Sequence, residues 1–549
     1  MCSRSRAFLS NGRYPRYSCD RRCGFVATNI DDIFVLMMLF TSLSFPVRHV
    51  VLGQYLGWTQ RISHNNVPSR TIDTNEYLHK PTQLTQFVDE SVRYVFSTPA
   101  DDRSLIFFAD YQGTENYQIY SMDLFNRGLK PITHNPEVKY EWGAECFSND
   151  GQHIVYSSNE KSPSDLLIYV IDVKKQNGPF CITNNAGWYE PGYWSPDNKM
   201  INCKQILTDT DSLIWLLDVE KRKMIQLKPL HERNTHQTGP WSVDGRGFYV
   251  ITNIYREHTG LAFYDIMDMK MEWIVTPDWD IEMVKLSRDN TTLVWAMNEA
   301  GYSKLFTKNL KTSEIQEMNL QNKGVIEGIT VSPDGKRIGL LMSTPTSPSN
   351  AYIIDTESQK IVRITNAFPK SIPQLVLSEP HLSSYTSFDG LKIPFLLYRP
   401  EEGYERVKKS QKIGVILSIH GGPTAQERPE YVYSGLYQYL LSRGIAILAP
   451  NFRGSTGLGR RYEKMIYHDW GGNELKDFEY AIKWLLLQEW VDRNRIGIFG
   501  KSFGGFAVLS CISRLPQYWR AAVDIFGPSN LITTTTPIRH TGKMPTKNS

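Results

Sequence analysis

The sequence predicts a chain of two folded domains, an all-β propeller followed by a mostly parallel sheet interleaved with helices. Three observations carry this reading. The 549 residues exceed what one hydrophobic core supports. A turn motif recurs at near-constant spacing through the first two thirds of the chain. Past residue 380 the pattern changes from strand after strand to strand then helix.

The repeat reads FSNDG at Ser148, WSPDN at Ser195, WSVDG at Ser242, LSRDN at Ser287 and VSPDG at Ser332. These serines stand 47, 47, 45 and 45 residues apart. A less regular copy, STPADD, sets Asp102 48 residues before Asp150. In each of the five copies Asp is followed by Gly or Asn, residues that tolerate the positive φ of a hairpin turn. An alternating apolar segment follows each turn, such as QHIVYSS or GFYVITN, and then a second one, such as LLIYVIDV. Short antiparallel strands at a period near 45 residues define propeller blades, which must stack to bury both faces. Six blades fit between about residues 84 and 375, and a seventh fits if the segment before Ser97 supplies strands. Trp194 and Trp241, just before two of the turns, are expected in the core.

The second domain is expected over 380–549. LSSYTSFDGLKIPFLLYRP is strand, DG turn and strand, followed by the polar stretch 401–412. IGVILSIHGGP and IAILAPNFRGS read as buried parallel strands. YSGLYQYLLSRG reads as a helix stopped by Gly444, and ELKDFEYAIKWLLLQE as a helix with apolar residues three and four apart. RIGIFGKSFGGFAVLSCISRL is strand, sharp turn and helix, and RAAVDIFG reads as another buried strand.

The sharp turn carries the chemistry. Gly500-Lys501-Ser502-Phe503-Gly504 fits G-x-S-x-G between a strand and a helix, the context in which that motif exposes a nucleophilic serine above an α/β-hydrolase sheet. Acyl transfer also needs two N–H donors aimed at the developing oxyanion. The backbone N–H of Phe503 supplies one, and Gly422 of HGGP, in an earlier strand-to-helix loop, supplies the other. His420 of the same motif reads as a group that shapes the loop, not as the base. GSTGLGRR, 454–461, mimics a phosphate loop but lacks its Lys-Ser/Thr pair and reads as a loop near the active site. Arg453 reads as a structural ion-pair partner of Asp469, Glu474 or Asp477.

Repeats of this kind, followed by HGGP, NFRGSTGLG and GKSFGGF, resemble a TolB-like propeller joined to the peptidase domain of the prolyl oligopeptidase family, in its acylaminoacyl-peptidase and dipeptidyl-peptidase-like branch. The resemblance covers about residues 84–535. It implies a serine peptidase whose propeller restricts access to short peptides, with Ser502 as nucleophile and Gly422 and Phe503 as the oxyanion hole. Lys501 stands where the family usually has Gly, Trp or Tyr, and Phe503 replaces a common Tyr. An esterase on the same fold, or a propeller scaffold with an inert hydrolase half, are the alternatives.

In this fold the triad order is Ser, acid, His. The resemblance places the acid after the second strand beyond the nucleophile and the histidine after the third. The strand AAVDIF ends at Phe526 and 23 residues follow it. His540 is the sole histidine after Ser502, and Asp524 lies within a strand, where it reads as a loop anchor. The sequence therefore identifies no catalytic Asp or His, and the expectation is a truncated or mispredicted product that is inactive by itself.

Composition closes off other classes. Net charge is +4 from 61 basic and 57 acidic residues, which gives no electrostatic case for nucleic acid. The seven cysteines form no CxxC pair and no Cys/His cluster with ligand spacing, so no metal or other cofactor is expected. Free thiols fit a reducing compartment and a cytoplasmic location. Residues 1–60 carry an Arg-rich start and then the apolar run IFVLMMLF, which reads either as a secretory or organelle targeting segment or as an extension without function.

Overall fold

The computed structural model describes residues 51–52, 82–85, 87, 90–97, 104–173, 178–368, 377–400 and 412–532. All of them belong to one compact unit, Pro46–Ser549. The expectations placed on residues 1–50, on the polar stretch 401–411 and on His540 lie outside the described residues.

From Glu90 to Arg363 the chain forms six successive four-stranded antiparallel sheets, over 90–131, 140–181, 188–226, 236–275, 280–318 and 325–363. This is the expected propeller of six blades. Glu90–Ser97 pairs with Ser104–Tyr111 as the first strand of the first blade, so the segment before Ser97 completes that blade and no seventh is found among the described residues.

The period-two pattern works as the sequence implied, because each blade buries both faces. Ile214 and Leu216 pack against Trp241, Phe248 and Val250 of the next blade. Their neighbours Trp215 and Leu217 point the other way, into a cluster with Ile154, Tyr156 and Trp194. Likewise Leu293 and Trp295 meet Tyr249 and Ile251, while Val294 and Ala296 meet Ile326 and Leu340. Trp194 and Trp241 are buried, as expected.

The recurring turn is built the same way five times. Ser148, Ser195, Ser242 and Ser287 each donate Oγ–H to the Oδ1 of the aspartate two residues on at 2.6 Å, and Ser332 does so at 2.7 Å. The residue after each aspartate has positive φ, and it is Gly at 151, 245 and 335 and Asn at 198 and 290. The serine oxygen then accepts the amide that opens the next strand, at 2.9 Å for Thr292 on Ser287. Ser287 is 2% exposed, so its loss leaves buried polar groups unpaired. Ser287→Ala is expected to cost about 1–3 kcal/mol, read as a lower midpoint of chemical denaturation. An unchanged midpoint would show that the turn is held by φ alone.

The second domain is one six-stranded sheet. Its strands are β1 His381–Thr386, β2 Lys392–Tyr398, β3 Ile413–Ile419, β4 Ile445–Pro450, β5 Val491–Lys501 and β6 Ala521–Ile525, in the order β1-β2-β4-β3-β5-β6. The β1–β2 and β2–β4 pairs are antiparallel, and β3–β4, β3–β5 and β5–β6 are parallel. The longer helices are α1 Leu436–Ser442, α2 Asn473–Leu486 and α3 Phe503–Arg514. Alternating strand residues meet helices on opposite faces. Leu396, Tyr398, Ile447 and Ala449 pack on Leu440 and Leu441 of α1. Phe395, Leu397, Ala446 and Leu448 pack with Phe478 and Leu485 of α2 and Ala507 and Val508 of α3. This is the α/β-hydrolase arrangement of the expected second domain.

One strand departs from expectation. RAAVDIFG is not fully buried, since Ala521, Ala522 and Val523 are half-buried and Asp524 is exposed. Its physical cause is position: β6 is an edge of the described sheet and pairs only with β5. Asp524 Oδ1 accepts the Gly527 amide at 2.8 Å, so it anchors the turn that leaves the strand.

Candidate active site

Ser502 sits between β5 and α3 as the residue capping the helix, with φ 58° and ψ −121°. A non-glycine residue in that region is strained and persists only where its surroundings impose it. The surroundings are backbone on every side. A Cβ at Gly504 would stand 2.1 Å from the Ile419 carbonyl oxygen of β3, and one at Gly500 would stand 2.2 Å from the Gly504 carbonyl oxygen. The Ser502 amide donates to the Ile525 carbonyl at 3.0 Å, fixing the turn to β6 as well. The result exposes the Ser502 side chain just past the C-terminal end of β5.

Phe503 is the first residue of α3, so its N–H is one of the four helix amides with no intrahelical acceptor. Its side chain is 1% exposed, stacks on Phe452 and meets Trp470 edge to face, which leaves only the backbone for chemistry. The HGGP loop lies alongside, since a methyl at Gly421 would be 3.4 Å from Ser502 Cβ. Gly422 has φ 115°, and a Cβ there would stand 2.7 Å from the Thr424 nitrogen, so only glycine fits.

His420 is buried and stacks on Phe452 at 4.5 Å, and its Nε2 pairs with Ser455 Oγ at 2.9 Å. Burial pushes its pKa down to about 4, so the ring is neutral. It ties the HGGP loop to the NFRGS loop. Among the described residues no histidine hydrogen-bonds to Ser502 Oγ, and Asp524 is committed to its own turn. The structure thus sets Ser502 and the Phe503 amide beside the Gly421–Gly422 loop, with no histidine bonded to the serine among the described residues.

Arg453 is an ion-pair residue, with a different partner set from the one expected. It donates to Asp477 from Nη2 and Nε, both at 2.8 Å, and to Asp389 from Nη1 at 3.0 Å. Asp469 and Glu474 instead accept the amides of Asn473, Gly471 and Gly472 at the start of α2, where carboxylates offset the helix dipole. Asp389 was not legible as a partner because it lies 64 residues away in the β1–β2 turn.

Glu427 was also not singled out from sequence. It is 5% exposed and its Oε1 accepts from Tyr437 OH at 3.0 Å. Burial pushes its pKa up from 4.5 to about 8, with Glu430 nearby adding to the shift. The sign follows from proton uptake. Between about 4.5 and about 8 the folded state holds a proton that the unfolded state has lost, so stability falls as pH rises through that window. The melting temperature is expected to decline from pH 5 to pH 8, and Glu427→Gln to flatten that decline. Equal slopes for both chains would refute the assignment.

The fold and the site define a propeller-capped α/β-hydrolase. Comparison with known proteins narrows this. The profile of the prolyl oligopeptidase family matches residues 431–544. Dipeptidyl aminopeptidase BIII of Pseudoxanthomonas mexicana is 24% identical over 498 residues, 88% of this chain and 69% of the relative. Dipeptidyl peptidase family member 6 of Caenorhabditis elegans is 36% identical over 118 residues, 22% of this chain and 16% of the relative. A puromycin-hydrolysing peptidase of Mycobacterium tuberculosis has the same fold, with a TM-score of 0.70 at 17% identity over 83% of this chain and 74% of that one. Residues 431–544 are thus similar to the prolyl oligopeptidase family, and the chain is similar to dipeptidyl peptidases of bacteria and a nematode.

Proposed function

We propose that this chain carries the nucleophile and oxyanion hole of a serine peptidase acting on short peptides. The observation that carries the reading is the strained Ser502, exposed between β5 and α3 with the Gly421–Gly422 loop against it. Ser502 Oγ attacks the scissile carbonyl, and the amides of Phe503 and Gly422 receive the oxyanion. Water then releases the acyl group. The propeller in front of the sheet supports peptide substrates over esters, because it limits substrate length. Among the described residues no histidine is bonded to Ser502, and the described part of the chain is proposed to need a base supplied to it.

The test supplies the base from solution. Dipeptidyl and acylaminoacyl nitroanilides and short-chain esters are offered to the chain and to Ser502→Ala, each with and without imidazole. Release from a peptide substrate that needs both Ser502 and imidazole is expected. Ester hydrolysis without peptide cleavage would make it an esterase. No Ser502-dependent product at all would leave a scaffold.

A further inference from the structure

The loop that holds Gly422 continues past Pro423 as a strap, Thr424 to Arg428, whose side chains alternate between the two domains. Thr424, Gln426 and Arg428 face the propeller. Thr424 Oγ1 donates to Asp209 Oδ2 at 3.3 Å, and Gln426 Oε1 accepts from Asn298 Nδ2 at 2.6 Å. Arg428 donates from Nη1 to both oxygens of Glu282 at 2.9 and 3.0 Å, from Nε to the Gly301 carbonyl at 2.8 Å, and from Nη2 to Ser303 Oγ at 3.2 Å. Asn298 also donates to Glu282 at 2.9 Å, so the two propeller groups that grip the strap grip each other.

Ala425 and Glu427 face the hydrolase sheet. The Ala425 carbonyl accepts the Thr456 amide at 2.9 Å. Glu427 exchanges backbone bonds with the Asn451 side chain at 2.7 and 3.1 Å and is held by Tyr437 beneath. One short stretch of backbone is therefore stitched to both domains at alternate residues. It cannot follow one domain without breaking its bonds to the other.

We propose that Arg428 is a positioning residue, through which the seating of the propeller sets the conformation of the loop carrying Gly422. The inference rests on the reading of Gly422 as an oxyanion donor. The ion pair is mostly buried, with Arg428 and Glu282 side chains 15% and 25% exposed, where a charge-assisted bond is strong. Gln426 and Arg428 together tie the loop of Gly422 to the blade at 280–318, and Arg428 makes the larger share of those bonds.

Hydrogen–deuterium exchange on the 549-residue chain tests it. In Arg428→Ala, amides of the peptide 420–430 are expected to exchange ~5-fold faster or more, with those of 491–501 unchanged, because only local opening is affected. Arg428→Lys, which keeps the charge beside Glu282, is expected to recover slow exchange in part, and Arg428→Met, of similar bulk without the charge, is not. Wild-type exchange over 420–430 in Arg428→Ala, or equal exchange in the Lys and Met variants, overturns the proposal. If Arg428→Ala speeds exchange everywhere, Gln426→Ala decides: faster exchange confined to 420–430 supports the proposal, and wild-type exchange overturns it. Kinetics separate the underlying reading. If Gly422 is a donor, the imidazole-dependent rate at Ser502 falls through kcat with KM unchanged in Arg428→Ala. If exchange quickens and that rate does not move, the coupling stands and the assignment of Gly422 fails.

Discussion

A fluorophosphonate is expected to leave Ser502 unlabelled in the 549-residue chain, and to label it when imidazole is added. The serine is exposed and the turn presents it, so access is not the barrier. Among the described residues, no histidine is bonded to take its proton. A hydroxyl attacks only as a base removes that proton, and loss of the base drops a serine peptidase by about 10⁶-fold while the oxyanion hole keeps a small residue of rate. His420, the histidine nearest in sequence logic, is buried, neutral and spent on Ser455. Intact mass and peptide mapping read the outcome directly. Labelling within minutes and without imidazole would overturn the proposal. Its loss in His540→Ala would then name the base.

Asp477→Ala is expected to give the largest loss of stability. The Asp477 side chain is 0% exposed and that of Arg453 is 6% exposed, and three bonds join them: two from the guanidinium and one from the Arg453 amide, at 2.8, 2.8 and 3.2 Å. Ser387 Oγ adds a further donor to Asp477, and Asp389 holds the far side of the guanidinium. Removing Asp477 strips the buried guanidinium of its buried partner and leaves only the more exposed Asp389 to balance it, at about 3–5 kcal/mol. For a domain of this size that is a fall in melting temperature of about 6–20 °C. The hydrolase half should melt first, because the network joins the β1–β2 turn, the NFRGS loop and α2. A shift below about 2 °C would show that the site relaxes or admits water. Replacing both partners with apolar residues should recover part of the loss, since no charge is then stranded.

Sequence alone determined the blades, because each turn is local chemistry. A serine, an aspartate two residues on, and a Gly or Asn at positive φ lie within four residues of one another, and the strand period that follows is also local. The turn at Ser502 was legible for the same reason: Gly500 and Gly504 are needed by backbone within a few residues and by the adjoining strand, and the motif states both. The tertiary structure alone decided where distant charges meet. Arg453 takes Asp389 from 64 residues away and passes over the nearer Asp469 and Glu474, which the start of α2 claims. It also decided that Ala521 to Asp524 form an exposed edge, since an apolar run looks the same whether or not a neighbour covers it. The alternation of Thr424, Gln426 and Arg428 toward the propeller is the clearest case. Nothing local marks these residues, and their partners Asp209, Asn298 and Glu282 are brought to them only when the blades and the sheet close on each other, across separations of 215, 128 and 146 residues.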